Sequence, residues 1–304
     1  MSPAVSLVVV SWESREDLEG LIASMIDNLP TDGSVELIVV DNASSIDPTD
    51  TVDRWSGPAQ VERLGENLGF GVASNRGVEL ANAPITVLCN PDVRLVDDSI
   101  LRLAVFSAER RAIVGPRLLW NDGTLQPSAS GPVVGIWPWI GALIPGAIQP
   151  GWMLARTEPW RRDESTKVTW LTGAVIAAPT EILERLGPFD EDIELMSEDL
   201  DLGLRAQHSG VTCIFAPDVA TVIHIGGTST RKRFDDGGRS ISATNRERVI
   251  RRTYGSRSAR LGTAALVARL RLRVAAKTAL GRDSNAERAE LQALKLASVA
   301  PDRI

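Results

Sequence analysis

Two apolar runs stand near the start of the chain, Val5-Ser6-Leu7-Val8-Val9-Val10 and Val35 to Val40, with a helix-like stretch from Ser14 to Leu29 between them. Runs that are apolar at almost every position and rich in β-branched side chains suit strands buried on both faces of a parallel sheet. Pro30 and the Asp32-Gly33 pair end the helix. Val61-Glu62-Arg63-Leu64 predicts a shorter strand, Gly71 to Ala81 a helix, and Ile85 to Cys89 another buried strand. A helix from Asp97 to Arg111 leads to a strand from Ile113 to Trp120 and a turn at Asn121-Asp122-Gly123. This alternation predicts an α/β sandwich around a mostly parallel sheet, an architecture that binds ligands beyond the carboxyl ends of its strands.

The pattern breaks between residues 127 and 165, where Pro, Gly and four tryptophans (Trp137, Trp139, Trp152 and Trp160) occur without a regular period. The segment reads as an extended loop or insertion, either touching a ligand or packing as a lid over the core. Regular structure resumes with a mixed strand pattern from Lys167 to Ala177, a short helix from Thr180 to Leu186, and a turn at Gly187-Pro188-Phe189-Asp190. Ser197 is placed to cap a helix whose first turn holds Glu198, Asp199 and Asp201, where exposed amides favour negative charge. Val211 to Phe215 and Val219 to Ile225 read as the closing strands, and the remainder is basic and mainly helical.

Charge divides the chain in the same place. Residues 1–230 hold 15 basic against 32 acidic residues, a balance of -17, whereas residues 231–304 hold 18 against 7, a balance of +11. An acidic body repels a nucleic-acid backbone, so nucleic acid is excluded as a partner. The expected division is a catalytic domain over 1–230 and a basic helical extension over 231–304. In the extension, Arg251-Arg252, Arg257, Arg260, Arg269, Arg271, Arg273 and Lys277 accompany Leu261, Leu266, Val267, Leu270, Leu272 and Val274. Such a helix suits peripheral contact with an anionic membrane, packing on the catalytic body, or a homo-oligomer interface. No apolar run reaches spanning length and no basic leader opens the chain, which predicts a cytoplasmic protein with the inner membrane face as its peripheral site. Cys89 and Cys213 lie in apolar runs without metal spacing and read as small buried hydrophobes.

Three polar positions follow predicted strands and could share one cleft: Ser11, Asp41-Asn42 and Asn90-Pro91-Asp92. Asp92 is a candidate oxygen ligand for Mg²⁺ or Mn²⁺ bridging a diphosphate, although the triplet by itself also makes an ordinary turn. His224, at the end of a strand, is a second candidate ligand or a satisfied structural histidine; His208 reads as structural or exposed. Asp199 suits a general base, or merely a helix start. Gly69-Phe70-Gly71 lacks the full dinucleotide fingerprint, and there is no phosphate-binding Walker loop.

Taken together, these fragments resemble the family 2 glycosyltransferases, especially their bacterial rhamnosyltransferase-like branch. The resemblance runs in order through Val5–Trp12, Val39–Ser45, Asn67–Gly77, Leu88–Asp92, Trp170–Ala174, Gly187–Glu191, Glu198–Leu202 and His224–Ser229, covering roughly residues 4–230. It implies a GT-A fold and inverting transfer from a nucleoside-diphosphate sugar. It places Asp41 near the nucleotide base, Asp92 at the metal and diphosphate with His224, Asp199 as the base, and Trp170 and Gly173 along the acceptor side. Ser11, Asn67, Gly71, Asn75 and Asn90 complete the expected donor set, and Glu198 joins the acceptor set. Asn90 departs from the usual Asp-x-Asp pattern, losing one charge while keeping a carbonyl oxygen to offer. The expected donor is dTDP-L-rhamnose and the expected acceptor a saccharide, soluble or carried on polyprenyl diphosphate. A UDP- or GDP-sugar hexosyltransferase or a galactofuranosyltransferase of the same fold is the alternative, and an inactive sugar-binding protein a further one.

Overall fold

The computed structural model describes residues 2–193, 196–226 and 238–299. The Gly227–Ser229 end of the last motif, Arg231-Lys232-Arg233 and the boundary at 230/231 lie outside the described residues.

The first half follows the expected alternation: β1 (Val5–Ser11), α1 (Arg15–Asn28), β2 (Val35–Asp41), α2 (Thr49–Val52), β3 (Ala59–Arg63), α3 (Phe70–Glu79), β4 (Ile85–Cys89), β5 (Val93–Leu95) and α4 (Ser99–Arg110). β1 pairs in parallel with both β2 and β4, and β3 extends β2. Side chains alternate across this sheet, and both faces are covered. Leu7, Val9, Leu37, Val39 and Val87 pack with Leu18, Leu21, Ile22 and Met25 of α1 and with Ile100 and Leu103 of α4. Val8, Val10, Ile38, Val40 and Leu88 pack with Ala73 and Val78 of α3 on the other face. That is why the strands read as unbroken apolar runs.

The expected single strand from Ile113 to Trp120 is two strands in different sheets, β6 (Ile113–Gly115) and β7 (Arg117–Leu119). Pro116 stands between them; it has no N–H for a ladder, so the pairing stops and the chain changes sheet. The segment 127–165 is also more ordered than expected. After β8 (Leu125–Gln126) and β9 (Ala129–Ser130) come two short helices, α5 (Trp137–Leu143) and α6 (Gly151–Thr157). Each has seven residues, too few to establish a visible period, and Pro138 sits at the first turn of α5 where its missing N–H costs nothing.

The rest of the domain is β10 (Thr166–Val168), β11 (Trp170–Leu171), β12 (Val175–Pro179), α7 (Thr180–Leu186), α8 (Glu198–His208), β13 (Cys213–Phe215) and β14 (Thr221–His224). The eight-stranded sheet has the order β10-β13-β6-β12-β4-β1-β2-β3, and β12 runs antiparallel to both of its neighbours. A second sheet, β5-β14-β7-β8, carries the chain ends that build the site. Cys89 and Cys213 are buried and unpaired, as expected.

Two helices close the chain, α9 (Arg239–Ala279) and α10 (Asn285–Val299), with α9 broken at Gly255, whose φ is 83°. Val249 and Ile250 pack against Leu200 and Leu204 of α8. Arg252 donates to Asp190 and to Asp201, both at 2.5 Å, pinning α9 to α8 and to the turn that precedes it. Part of the apolar stripe of the extension is therefore spent inside the molecule: Leu270 is buried, whereas Leu261 and Leu272 remain exposed. Among the described residues no helix is long and apolar enough to cross a membrane.

Candidate active site

The site lies at the carboxyl end of β1, β2 and β4, where register decides which loops meet. Ser11 pairs with Asp41 at the last rung of β1 and β2, and Val175 of β12 pairs with Cys89 of β4. The second pairing lays Gly173-Ala174 beside Asn90, whose N–H donates to the Ala174 carbonyl at 2.9 Å. The Gly173 N–H donates in turn to Asp199 Oδ2 at 3.2 Å. Two consecutive residues thus connect the candidate base to the candidate metal turn.

Asp92 is almost buried. Its Oδ2 accepts from the Gly226 N–H at 2.9 Å, and its Oδ1 lies 3.2 Å from His224 Nε2. Burial works to raise its pKa, but the bonds from His224 and Gly226 prevail and hold the carboxyl below the usual range. His224 Nδ1 lies 3.0 Å from Gln126 Oε1, a carbonyl oxygen that can only accept. His224 Nε2 thus faces Asp92 Oδ1 and lies 3.4 Å from Asn90 Nδ2. A carboxylate oxygen and an imidazole nitrogen side by side would hold a divalent cation, the ring then keeping its proton on Nδ1 toward Gln126 and offering the Nε2 lone pair, as outer-shell partners arrange. No group of three or more His, Cys, Asp or Glu gathers among the described residues.

Arg94 steadies the turn from below, donating to the Pro91 carbonyl at 3.3 Å and the Asp17 carbonyl at 3.0 Å. Gly20 of α1 makes room for it, since a Cβ there would fall 2.2 Å from the Arg94 guanidinium.

Asp199 behaves oppositely to Asp92. Burial pushes its pKa up, and the amides of Gly173 and Leu200 reverse only part of that rise. Glu198 is raised further, by burial and then by the charge of Asp199, and its Oε2 is buried without a hydrogen-bond partner. Asp201 turns away from the site into the Arg205 and Arg252 pairs. Ser197 occupies the N-cap position of α8 but does not cap with its side chain. Its φ of 78° aims the hydroxyl at Ser242 O instead. Positive φ also occurs at Met196, Glu13 and Ala43, so loops bordering the site hold strained backbone.

The remaining expected residues divide. Asp41 is fully buried at the end of β2, bonded by Arg63 Nε at 2.9 Å. Asn67 accepts from Asn42 at 2.9 Å, closing the loop before α3. Ser11 shares a hydrogen bond with Ser14. Asn75 is occupied by packing: its amide bonds both the N–H and the carbonyl of Phe189, at 2.9 Å each. Gly71 faces the same turn, where a Cβ would meet Phe189 at 3.2 Å. Trp170 is half-buried against the cluster of Leu200, Leu204 and Val249. His208 is exposed, bonds the Leu204 carbonyl and lies beside the Tyr254 ring, 6.0 Å between centroids. Gln126 and Arg63 were not anticipated. Gln126 follows an unremarkable turn, and only the pairing of β7 with both β8 and β14 brings it to His224.

The chain is 28% identical over 246 residues to N-acetylglucosaminyl-diphospho-decaprenol L-rhamnosyltransferase of Mycobacterium tuberculosis, covering 76% of this chain and 78% of that protein. It is 26% identical over 231 residues to the O-antigen biosynthesis protein RfbC of Myxococcus xanthus, covering 73% of this chain but only 17% of that longer protein. Among solved structures, mannosyltransferase PcManGT from Pyrobaculum calidifontis, in complex with GDP-Man and Mn²⁺, superposes with a TM-score of 0.62 at 18% identity, over 98% of this chain and 87% of that one. GalNAc-T7 with UDP, GalNAc and Mn²⁺ gives 0.58 at 17% identity, over 81% and 52%. At these identities the structures establish a common GT-A fold. The family model described as "Glycosyltransferase like family 2" matches residues 3–255, past the acidic body and up to the Gly255 break. The chain therefore belongs to the family 2 glycosyltransferases.

Proposed function

We propose that this glycosyltransferase is an inverting enzyme that moves L-rhamnose from dTDP-L-rhamnose to a saccharide carried on polyprenyl diphosphate. The supporting observation is the short connection from Asp199 through Gly173-Ala174 to Asn90, which joins a carboxylate raised by burial to one held down by His224 and Gly226. A base works best with a pKa drawn toward the working pH, whereas a ligand works best fully ionised.

In the proposed reaction an acceptor hydroxyl attacks the anomeric carbon opposite the diphosphate, and Asp199 takes its proton as the new C–O bond forms and the bond to the diphosphate breaks. One displacement inverts the centre, and no protein nucleophile is needed. Asp92 and His224 would hold Mg²⁺ or Mn²⁺, which supplies positive charge for the leaving diphosphate. Asn90 offers its carbonyl oxygen to the same side. Asp41, with Arg63, faces the nucleotide base; Ser11, Asn67, Gly71 and Asn75 shape the donor loops. Trp170, Gly173 and Glu198 border the acceptor. Residues 1–230 carry the chemistry, and 231–304 serve as a helical extension that brings the cytoplasmic enzyme to the inner membrane face or to a second copy.

The rhamnosyl donor is supported by the M. tuberculosis relative, whose name also contains a diphospho-decaprenol acceptor. The GDP-Man and UDP complexes of the structural neighbours favour the second reading, a hexosyltransferase. Purified protein offered dTDP-L-rhamnose and a panel of UDP- and GDP-sugars, with lipid-linked and soluble acceptors, separates them by product mass. Rhamnose transfer is expected; hexose transfer without rhamnose transfer would replace the donor assignment.

A further inference from the structure

The lobe formed by α5 and α6 leaves a cavity against α9 that the proposed transfer does not use. It is a partly open cavity of about 90 Å³, bounded by Ser130, Trp137 of α5, Arg156 of α6, and Arg246 and Arg269 of α9. Three guanidinium groups converge there, and their pairing is uneven. Arg269 donates to Glu158, which also pairs with Arg161. Arg246 makes no hydrogen bond or ion pair with any described residue, and burial pulls its pKa down against the attraction of Glu290. Arg156 is exposed and lies over the Trp137 ring, 5.0 Å from its centroid, and among the described residues no carboxylate pairs with it. Arg246 is half-buried, and the stretch of helix that carries it is held by the bond from Asn245 to the Met196 carbonyl and by those from Arg252 to Asp190 and Asp201.

The same lobe exposes large apolar side chains. Ile136, Leu143, Ile148 and Trp152 are all more than 60% exposed, at 65, 63, 73 and 64%. Arginines lining the cavity and apolar side chains on the adjoining lobe match a ligand with phosphates at one end of a long apolar chain. Position agrees with chemistry. Ser130 on the cavity wall pairs with Trp170, three residues before the Gly173 that bonds Asp199. Three residues span at most about 10 Å, so this wall of the cavity runs directly into the segment that bonds Asp199.

We propose that this cavity is the subsite for the diphosphate of a lipid-linked acceptor, held by Arg246, Arg156 and Arg269, with the apolar lobe receiving the adjoining hydrocarbon. The inference rests on the lipid-diphosphate acceptor of the reading above and adds where that acceptor is gripped.

Binding of farnesyl diphosphate to the full chain, followed by calorimetry, tests it without requiring activity. The wild type binds, and R246Q and R156Q each weaken binding at least tenfold while leaving dTDP binding unchanged. Arg156 is exposed, so R156Q keeps the test sound should R246Q fail to fold. In turnover, the same variants raise KM for a prenyl-diphosphate acceptor and leave transfer to an alkyl glycoside of the same sugar unchanged. Unaltered farnesyl diphosphate binding in both variants overturns the subsite. So does a loss seen only with phosphatidylglycerol vesicles, which would make the arginines a membrane-headgroup contact. A wild type that binds farnesyl diphosphate through Arg246 yet transfers no rhamnose preserves the subsite and overturns the donor assignment.

Discussion

Asp92 and Asp199 are aspartates at the same end of the same sheet, and their surroundings drive them apart. Asp92 meets an imidazole and the Gly226 amide; Asp199 sits beside a second buried carboxyl and receives backbone amides, those of Gly173 and Leu200 foremost. Burial acts on both in the same sense, so the difference comes from partners. The hydrogen bonds from His224 and Gly226 hold one carboxylate ionised, whereas among the described residues only backbone amides bond Asp199, which leaves it able to accept a proton.

The sharpest way to break this contrast is to remove the proton acceptor. D199N is expected to lower kcat by about 10³-fold, since general-base catalysis is worth about 10²–10⁴. Dissociation of the nucleotide sugar, measured by calorimetry, should change little, and a variant that turns over normally would show that the base lies elsewhere. D92N attacks the other side. It should cost about 10²-fold in kcat and raise the Mn²⁺ concentration needed for half-maximal rate, read from a metal titration. An unchanged titration would detach Asp92 from the cation.

Gln126→Leu leaves both carboxylates intact and frees only the His224 ring. Loss of such an orienting partner costs about 10–100-fold in metal affinity, so a rise of about tenfold in the half-activating Mn²⁺ concentration is expected, with little change in rate at saturating metal. The smallest effect concerns pH. Activity requires ionised Asp199, whose pKa is raised, so kcat/KM falls as pH drops and does so above the ordinary carboxylate range. Glu198, raised further, is still neutral where Asp199 ionises. E198Q should therefore leave this acid limb in place, and a limb that moves would show that Glu198 is already charged there.

The sequence displayed the parts of the fold that depend on burial at every position. β1, β2 and β4 and helices α1, α3 and α4 appear within a residue or two of their expected bounds because both faces of the sheet are covered. It hid what depends on a single residue or on a distant partner. Pro116 divides one apolar run between two sheets, and the seven-residue helices α5 and α6 are too short for a period. At the site, Asp92, His224 and Asp199 were legible as types at strand and helix ends, and Gly173 only through the family resemblance. Their mutual arrangement was not, because it follows from the register of β12 on β4 and of β14 on β5. Gln126 had no sequence signal at all. Asn75, placed in the donor set by the resemblance, bonds the Phe189 backbone through its amide, a partner the sequence did not display.

The connection through Gly173-Ala174 has a bearing on regiochemistry. On the proposed roles it works as a ruler of fixed length: the point where a proton leaves and the point where a diphosphate departs cannot drift relative to each other, because two adjacent residues bond both. Which hydroxyl of the acceptor is glycosylated is then decided by how deeply the acceptor is anchored rather than by the reacting groups. Linkage position becomes a property of the distance between Arg246 and Asp199, so lengthening or shortening the wall between them would change the product without changing the chemistry.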